Sequence, residues 1–168
     1  ADGEALPELE PSEDWVNRWR DSAERVTDGQ MQELWGRILA GEIRKPGAYS
    51  LRALETVKNL SREDADLISK LADFQVMDFV VKLNGWSFLD EHGLSFSELL
   101  ELQELGILSG VESFGIEKTF AQIPAGERTS IVFSHHVMMV TPPDGADKFS
   151  FPILSVTRLG RQILSLAE

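Results

Sequence analysis

At 168 residues, 42% hydrophobic and 26% charged, the chain has enough apolar material for one core or two small subdomains, which excludes wholesale disorder. A net charge of −12 disfavours nucleic acid and anionic membrane surfaces as partners unless basic residues cluster locally. The lack of cysteine removes disulfides, thiolate metal sites and cysteine nucleophiles together, and fits a reducing compartment.

No apolar run approaches the roughly 20 residues that span a bilayer, and no signal-peptide pattern opens the chain. A cytoplasmic location is therefore expected. The first residue is Ala1 rather than Met, so the chain is read as a fragment or processed form. Residues 1–11 (ADGEALPELEP) are acidic, hold two prolines and lack periodicity; they read as a flexible lead-in.

Ser12, followed by Glu13 and Asp14, predicts a helix start, with a capping oxygen and acids at the positive end of the dipole. Trp15, Trp19, Ala23 and Val26 recur at helical spacing, and the tryptophans are expected to anchor this helix to its neighbour. Asp28 caps a second helix, whose apolar series is Met31, Leu34, Trp35, Ile38, Leu39 and Ile43. Gly36 and Gly41 interrupt it, each costing up to about 1 kcal/mol against alanine. Beside Trp35, Gly36 is expected to admit a close backbone. Lys45-Pro46-Gly47 ends the helix.

Ser50 opens a third helix that buries Leu51, Leu54, Val57 and Leu60. Ser61 and Asp64 have capping-box spacing, and the helix after them is expected to bury Ala65, Leu67, Ile68, Leu71 and Phe74. The stretch 76–83 (VMDFVVKL) fits a strand or a helical continuation. Residues 95–108 read as a helix with Leu99, Leu102 and Leu105 on one side, Gly106 as its C′ glycine, and Ile107 and Leu108 folding back. The period then changes to 2 over 116–123, 130–141 and 148–156, with strong turn signals between. A last helix, 157–166, buries Leu159, Ile163 and Leu166.

The block Glu33-Leu34-Trp35-Gly36-Arg37-Ile38-Leu39-Ala40-Gly41-Glu42-Ile43, with Pro46 to Glu55 and Lys58-Asn59-Leu60-Ser61 after it, resembles a bacterial family known only as domain of unknown function 2806. The resemblance covers about residues 14–72. It implies a bacterial, intracellular protein and brings no activity, cofactor or catalytic residue. Similar helices occur in proteins of phage abortive infection, a looser likeness. Leu102 to Leu108, a β-region, and then Val156-Thr157-Arg158-Leu159-Gly160 look like a winged helix, in which a Leu-Gly-Ile turn precedes a β-wing and a Leu-Thr-x-x-Gly element starts the closing helix. Val156 stands where leucine is usual.

The expected architecture is thus mainly α (α+β), a helical subdomain over 12–84 followed by a winged-helix-like unit with a small antiparallel sheet over 85–168. Winged helices usually bind DNA, yet residues 61–110 hold three bases (Arg62, Lys70, Lys82) against ten acids, a net −7. The candidate recognition helix carries Glu98, Glu101 and Glu104 and no base, whereas phosphate contacts call for cations or small donors. The arginines of the helical half are interleaved with acids, so no basic stripe emerges.

Adjacent His135 and His136 point to opposite faces of a strand and cannot share one metal there. His92, beside Asp90 and Glu91, lacks a second histidine nearby in sequence. No nucleophile elbow, phosphate loop, dinucleotide fingerprint or zinc motif is present. No catalytic residue, metal or cofactor is expected. Arg52 sits in the first turn of its helix, where the dipole disfavours a cation; a salt bridge to Glu42 or Glu55 would explain it, and an anion or partner site at Tyr49 and Arg52 is the functional alternative. Trp15, Trp19, Glu98 and Glu101 are candidate interaction residues. The leading expectation is a non-catalytic interaction or regulatory module, self-associating through its tryptophan-bearing helices or docking a protein. A winged-helix nucleic-acid regulator linked to phage defence is the alternative, and an enzyme with a dispersed site around His92 or Arg52 the third.

Overall fold

The computed structural model describes residues 10–113, 115–121, 128–132, 137–141 and 148–167; most of the acidic lead-in and the His135-His136 pair lie outside them. Seven helices and seven strands occur among the described residues, an α+β architecture. They divide into two compact units, Ala1–Leu60 and Ser61–Glu168.

The first unit holds α1 (Glu13–Ala23), α2 (Gly29–Arg44) and α3 (Leu51–Asn59). Each starts at its expected cap: Ser12 accepts the Trp15 N–H, Asp28 that of Met31, and Ser50 that of Ala53. Such a side chain satisfies one orphan amide and contributes about 1 kcal/mol. Trp15, Trp35, Ile38, Leu54 and Val57 fill the core. Three expectations need correction. α1 stops at Ala23, leaving Val26 beyond its stripe. Ile43 is 45% exposed, because the buried stripe of α2 runs Trp35, Ile38 and then Glu42, an acid. A Cβ on Gly36 would meet nothing within 4 Å, so no backbone approaches there; at Gly41 it would lie 2.7 Å from Cε2 of Tyr49.

The second unit opens with α4 (Arg62–Ala72) behind the capping box: Ser61 Oγ accepts the Asp64 N–H at 3.0 Å and Asp64 Oδ2 the Ser61 N–H at 2.8 Å. Leu67, Ile68 and Leu71 face inward, while Ala65 is exposed, contrary to expectation. The ambiguous stretch becomes a hairpin, β1 (Gln75–Val76) and β2 (Phe79–Val81), turning at Met77 with φ 51°. All three residues of β2 are buried, which a strand covered on both faces requires. A short helix that periodicity does not announce, α5 (Ser87–Glu91), precedes α6 (Phe96–Glu104). Then come β3 (Leu108–Ser109), β4 (Ile116–Ala121), β5 (Thr129–Val132), β6 (Val137–Val140), β7 (Lys148–Val156) and α7 (Arg158–Leu164).

The main sheet runs β1-β2-β7-β3, with β4 also on β7, and all its pairs are antiparallel. β7 organises it: Ser155, Leu154 and Ile153 face Phe79, Val80 and Val81, while residues 148–153 pair with β4. β5 and β6 form a separate hairpin, so the run expected over 130–141 is two strands among its described residues. Met138 and Val140 of that hairpin pack on Val76, Phe79, Val81, Phe151 and Ile153.

The two winged-helix-like motifs meet in space. α6 ends in a Schellman motif: Gly106 has φ 77°, Ile107 N–H donates to Leu102 O and Gly106 N–H to Gln103 O, both at 2.9 Å. Thr157 clamps that turn. Its N–H donates to Ile107 O at 3.0 Å and its hydroxyl to Gly106 O at 2.5 Å. The same hydroxyl oxygen accepts the Gly160 N–H, capping α7. Gly160 lies against the Ile107 backbone, where any side chain would collide with the carbonyl.

Candidate functional site

In the first unit the sequence-derived candidates surround the turn from α2 to α3. Glu42 is only 3% exposed, and its two carboxylate oxygens accept the Gly47 N–H at 2.6 Å and the Tyr49 N–H at 2.9 Å. Buried backbone donors must find acceptors, and here one acid serves two. Trp15 Nε1 donates to Tyr49 O at 2.7 Å, and the Tyr49 ring covers Gly41. Trp19 Nε1 donates to Trp35 O at 2.9 Å. Trp15 is buried and Trp19 half-buried, so both indoles lock this unit together and Trp15 offers no open surface. Arg52 is exposed, and among the described residues it forms no ion pair with Glu42 or Glu55. Glu42 is occupied by amides, and Glu55 has Lys58 at 3.9 Å; the expected bridge is absent.

In the second unit, α6 turns Leu99 and Leu102 inward, fully buried, and Ser97, Glu101 and Glu104 outward. Glu98 closes a capping box, its Oε2 accepting the Ser95 N–H and hydroxyl, each at 2.7 Å. The Ser95 amide first, then the Ser95 hydroxyl, holds this carboxyl below its ordinary 4.5, with Lys70 at 3.7 Å adding to the effect and partial burial opposing it. Glu98 is thus committed to the helix start, while Glu101 stands free in solvent.

His92 packs its ring against Phe74 and Phe88, with centroids 5.4 and 4.7 Å away, and its Nδ1 lies 2.7 Å from Phe88 O. Among the described residues no three His, Asp or Glu side chains converge on a metal position.

A cleft that sequence reasoning missed lies beside the first turn of α6. It has a volume of about 470 Å³ and is lined by Lys82, Trp86, Phe96, Val111, Glu112 and Ser113. Lys82 Nζ sits 3.6 Å from the Trp86 ring centroid, a cation–π contact. The Trp86 and Phe96 rings are 5.3 Å apart and tilted by 59°. Gln103 braces the 111–112 segment of the lining, its Oε1 accepting the Val111 N–H at 2.9 Å and its Nε2 donating to Glu112 at 3.4 Å. Ser113 donates through its hydroxyl to Gly110 O at 2.9 Å. The cleft includes neither His92 nor Arg52.

A family model, described as protein of unknown function (DUF2806), matches residues 3–86, half of the chain. The chain belongs to the DUF2806 family. The DUF2806 match takes in the tryptophan-bearing helices, the Glu42 turn and the capping box of α4, and it reaches Lys82 and Trp86 on one wall of the cleft. No curated protein and no solved structure matches the chain. Among the described residues no helix of this DUF2806 member is long and apolar enough to cross a membrane.

Proposed function

We propose that this chain is a cytoplasmic, non-catalytic interaction module whose second unit is a winged helix that docks a basic protein segment on α6. Support for the fold comes from the order of helix α4, strand β2, helices α5 and α6, then strands returning to the same sheet with β7 between β2 and β3. The clamp of Thr157 and Gly160 on the α6 turn adds to it. A single observation carries the functional reading. α6, which the winged-helix reading makes the recognition helix, is nine residues without a Lys or Arg, with Glu101 and Glu104 facing solvent.

Carboxylates on that face repel phosphates and attract cations, and complementary charge chiefly sets specificity and on-rate. The topology also favours the second reading, a nucleic-acid regulator, and a gel shift separates the two. At low salt with mixed-sequence duplex DNA the chain is expected to leave the duplex unshifted. A shifted band that fades as salt rises would reveal phosphate contacts and turn the assignment toward nucleic acid.

A further inference from the structure

We propose that the cleft between β2, the start of α5, the first turn of α6 and the 111–113 loop binds a small aromatic carboxylate. This goes beyond the docking role of α6 and stands independently of it. The cleft's volume of about 470 Å³ lies within the roughly 300–1,000 Å³ of small-molecule sites. Its lining is mixed, two aromatic rings and Val111 beside Lys82, Glu112 and Ser113.

Three features define the ligand. Lys82 supplies the cation. Among the described residues its ammonium forms no ion pair and lies over the Trp86 ring, 3.6 Å from Nζ to centroid, while its backbone N–H donates to Pro152 O. An ammonium held over an indole keeps N–H donors for a carboxylate, and a charge-assisted pair is the stronger kind. The second feature is the aromatic pair. Phe96 is 42% exposed although its helix is fixed on both sides by the Ser95 cap and by buried Leu99, so its ring and that of Trp86 present an aromatic wall to the cleft. A flat ring gains offset or edge contacts there. Glu112 is the third. Also in the lining, it repels a second anionic group, so the ligand carries a single negative charge, which pairs with Lys82. Phosphomonoesters and dicarboxylates are thereby disfavoured.

The walls are built before any ligand arrives. Gln103 fixes Val111 and Glu112, Ser113 is tied to Gly110, and Gly110 holds φ 91°. Fixed walls reduce the ordering cost of binding.

Calorimetric titration of the full chain with indole-3-acetate, and separately with tryptamine, tests the proposal. Indole-3-acetate should bind saturably at one site, and tryptamine, with the same ring and the opposite charge, should not. Lys82→Gln should weaken indole-3-acetate binding about tenfold. Glu112→Gln, by removing a like charge from the cleft, should strengthen indole-3-acetate binding and admit isophthalate, which the unaltered chain refuses. No saturable heat up to about 10 mM, or equal binding of tryptamine, overturns the assignment. The comparison of the two ring compounds needs no variant, so it decides even if Lys82→Gln fails to fold.

Discussion

Gly36 and Gly41 both sit inside α2, yet a methyl group would meet open space at the first and the Tyr49 ring, 2.7 Å away, at the second. Gly36→Ala should stabilise the chain by about 0.5–1 kcal/mol, because alanine is the better helix former and nothing resists it. Gly41→Ala gains the same helical preference and loses more. Tyr49 cannot yield cheaply, since its N–H is held by Glu42 and its carbonyl by Trp15; a net loss of about 1–2 kcal/mol is expected. Urea midpoints of the two variants should move in opposite directions. Of this arrangement, the sequence displayed the interruption at both glycines but not which one bore a neighbour, because the neighbour arrives through a turn. The role of Glu42 was hidden for a related reason. Its partners are backbone amides of that turn, and backbone amides leave no mark in a sequence.

Glu98 gives the residue scale its pH dependence. Its carboxyl titrates below its ordinary 4.5 in the folded chain, so its contribution is complete above 4.5 and is lost as pH falls through the folded value. Glu98→Gln keeps a capping-box side chain but removes the titration. The variant's loss of stability on acidification below 4.5 should be shallower than that of the parent, as thermal melts across that range would record.

At the scale of elements, the helix starts were readable because caps are local. Ser12, Asp28, Ser50, Ser61, Ser95 and Thr157 each stand directly before a helix and accept an amide from its first turn. Thr157 also reaches back across the fold. Its hydroxyl and N–H hold the carbonyls of Gly106 and Ile107, so the end of α6 and the start of α7 form one joint. Gly160→Ala should open that joint, because its new carbon meets the Ile107 backbone rather than a movable side chain. A loss of about 3 kcal/mol is expected, and wild-type stability in the variant would refute the joint. α5 was not readable, since five residues are too few to establish a period. The cleft was hidden as well. Lys82, Trp86, Phe96 and Ser113 span two helices, a strand end and a loop, and only the folded sheet gathers them.

For the whole molecule, charge and topology point in different directions. On the proposed winged-helix reading the strand order of the second unit would suit DNA binding, and the acids on α6 would oppose that use. Net charge alone, −12 over the chain, would say only that the protein stays dissolved. On the proposed reading, it is Glu101 and Glu104 on the outward face of α6 that would give charge a functional meaning. A photo-crosslinking side chain at position 101, compared with one at Asp66 on the exposed side of α4, tests this most directly in the cells that make the protein. The account predicts a discrete adduct from position 101 that protease destroys and nuclease leaves intact, with none from position 66. A nuclease-sensitive adduct at position 101, or equal adducts at both positions, would contradict it.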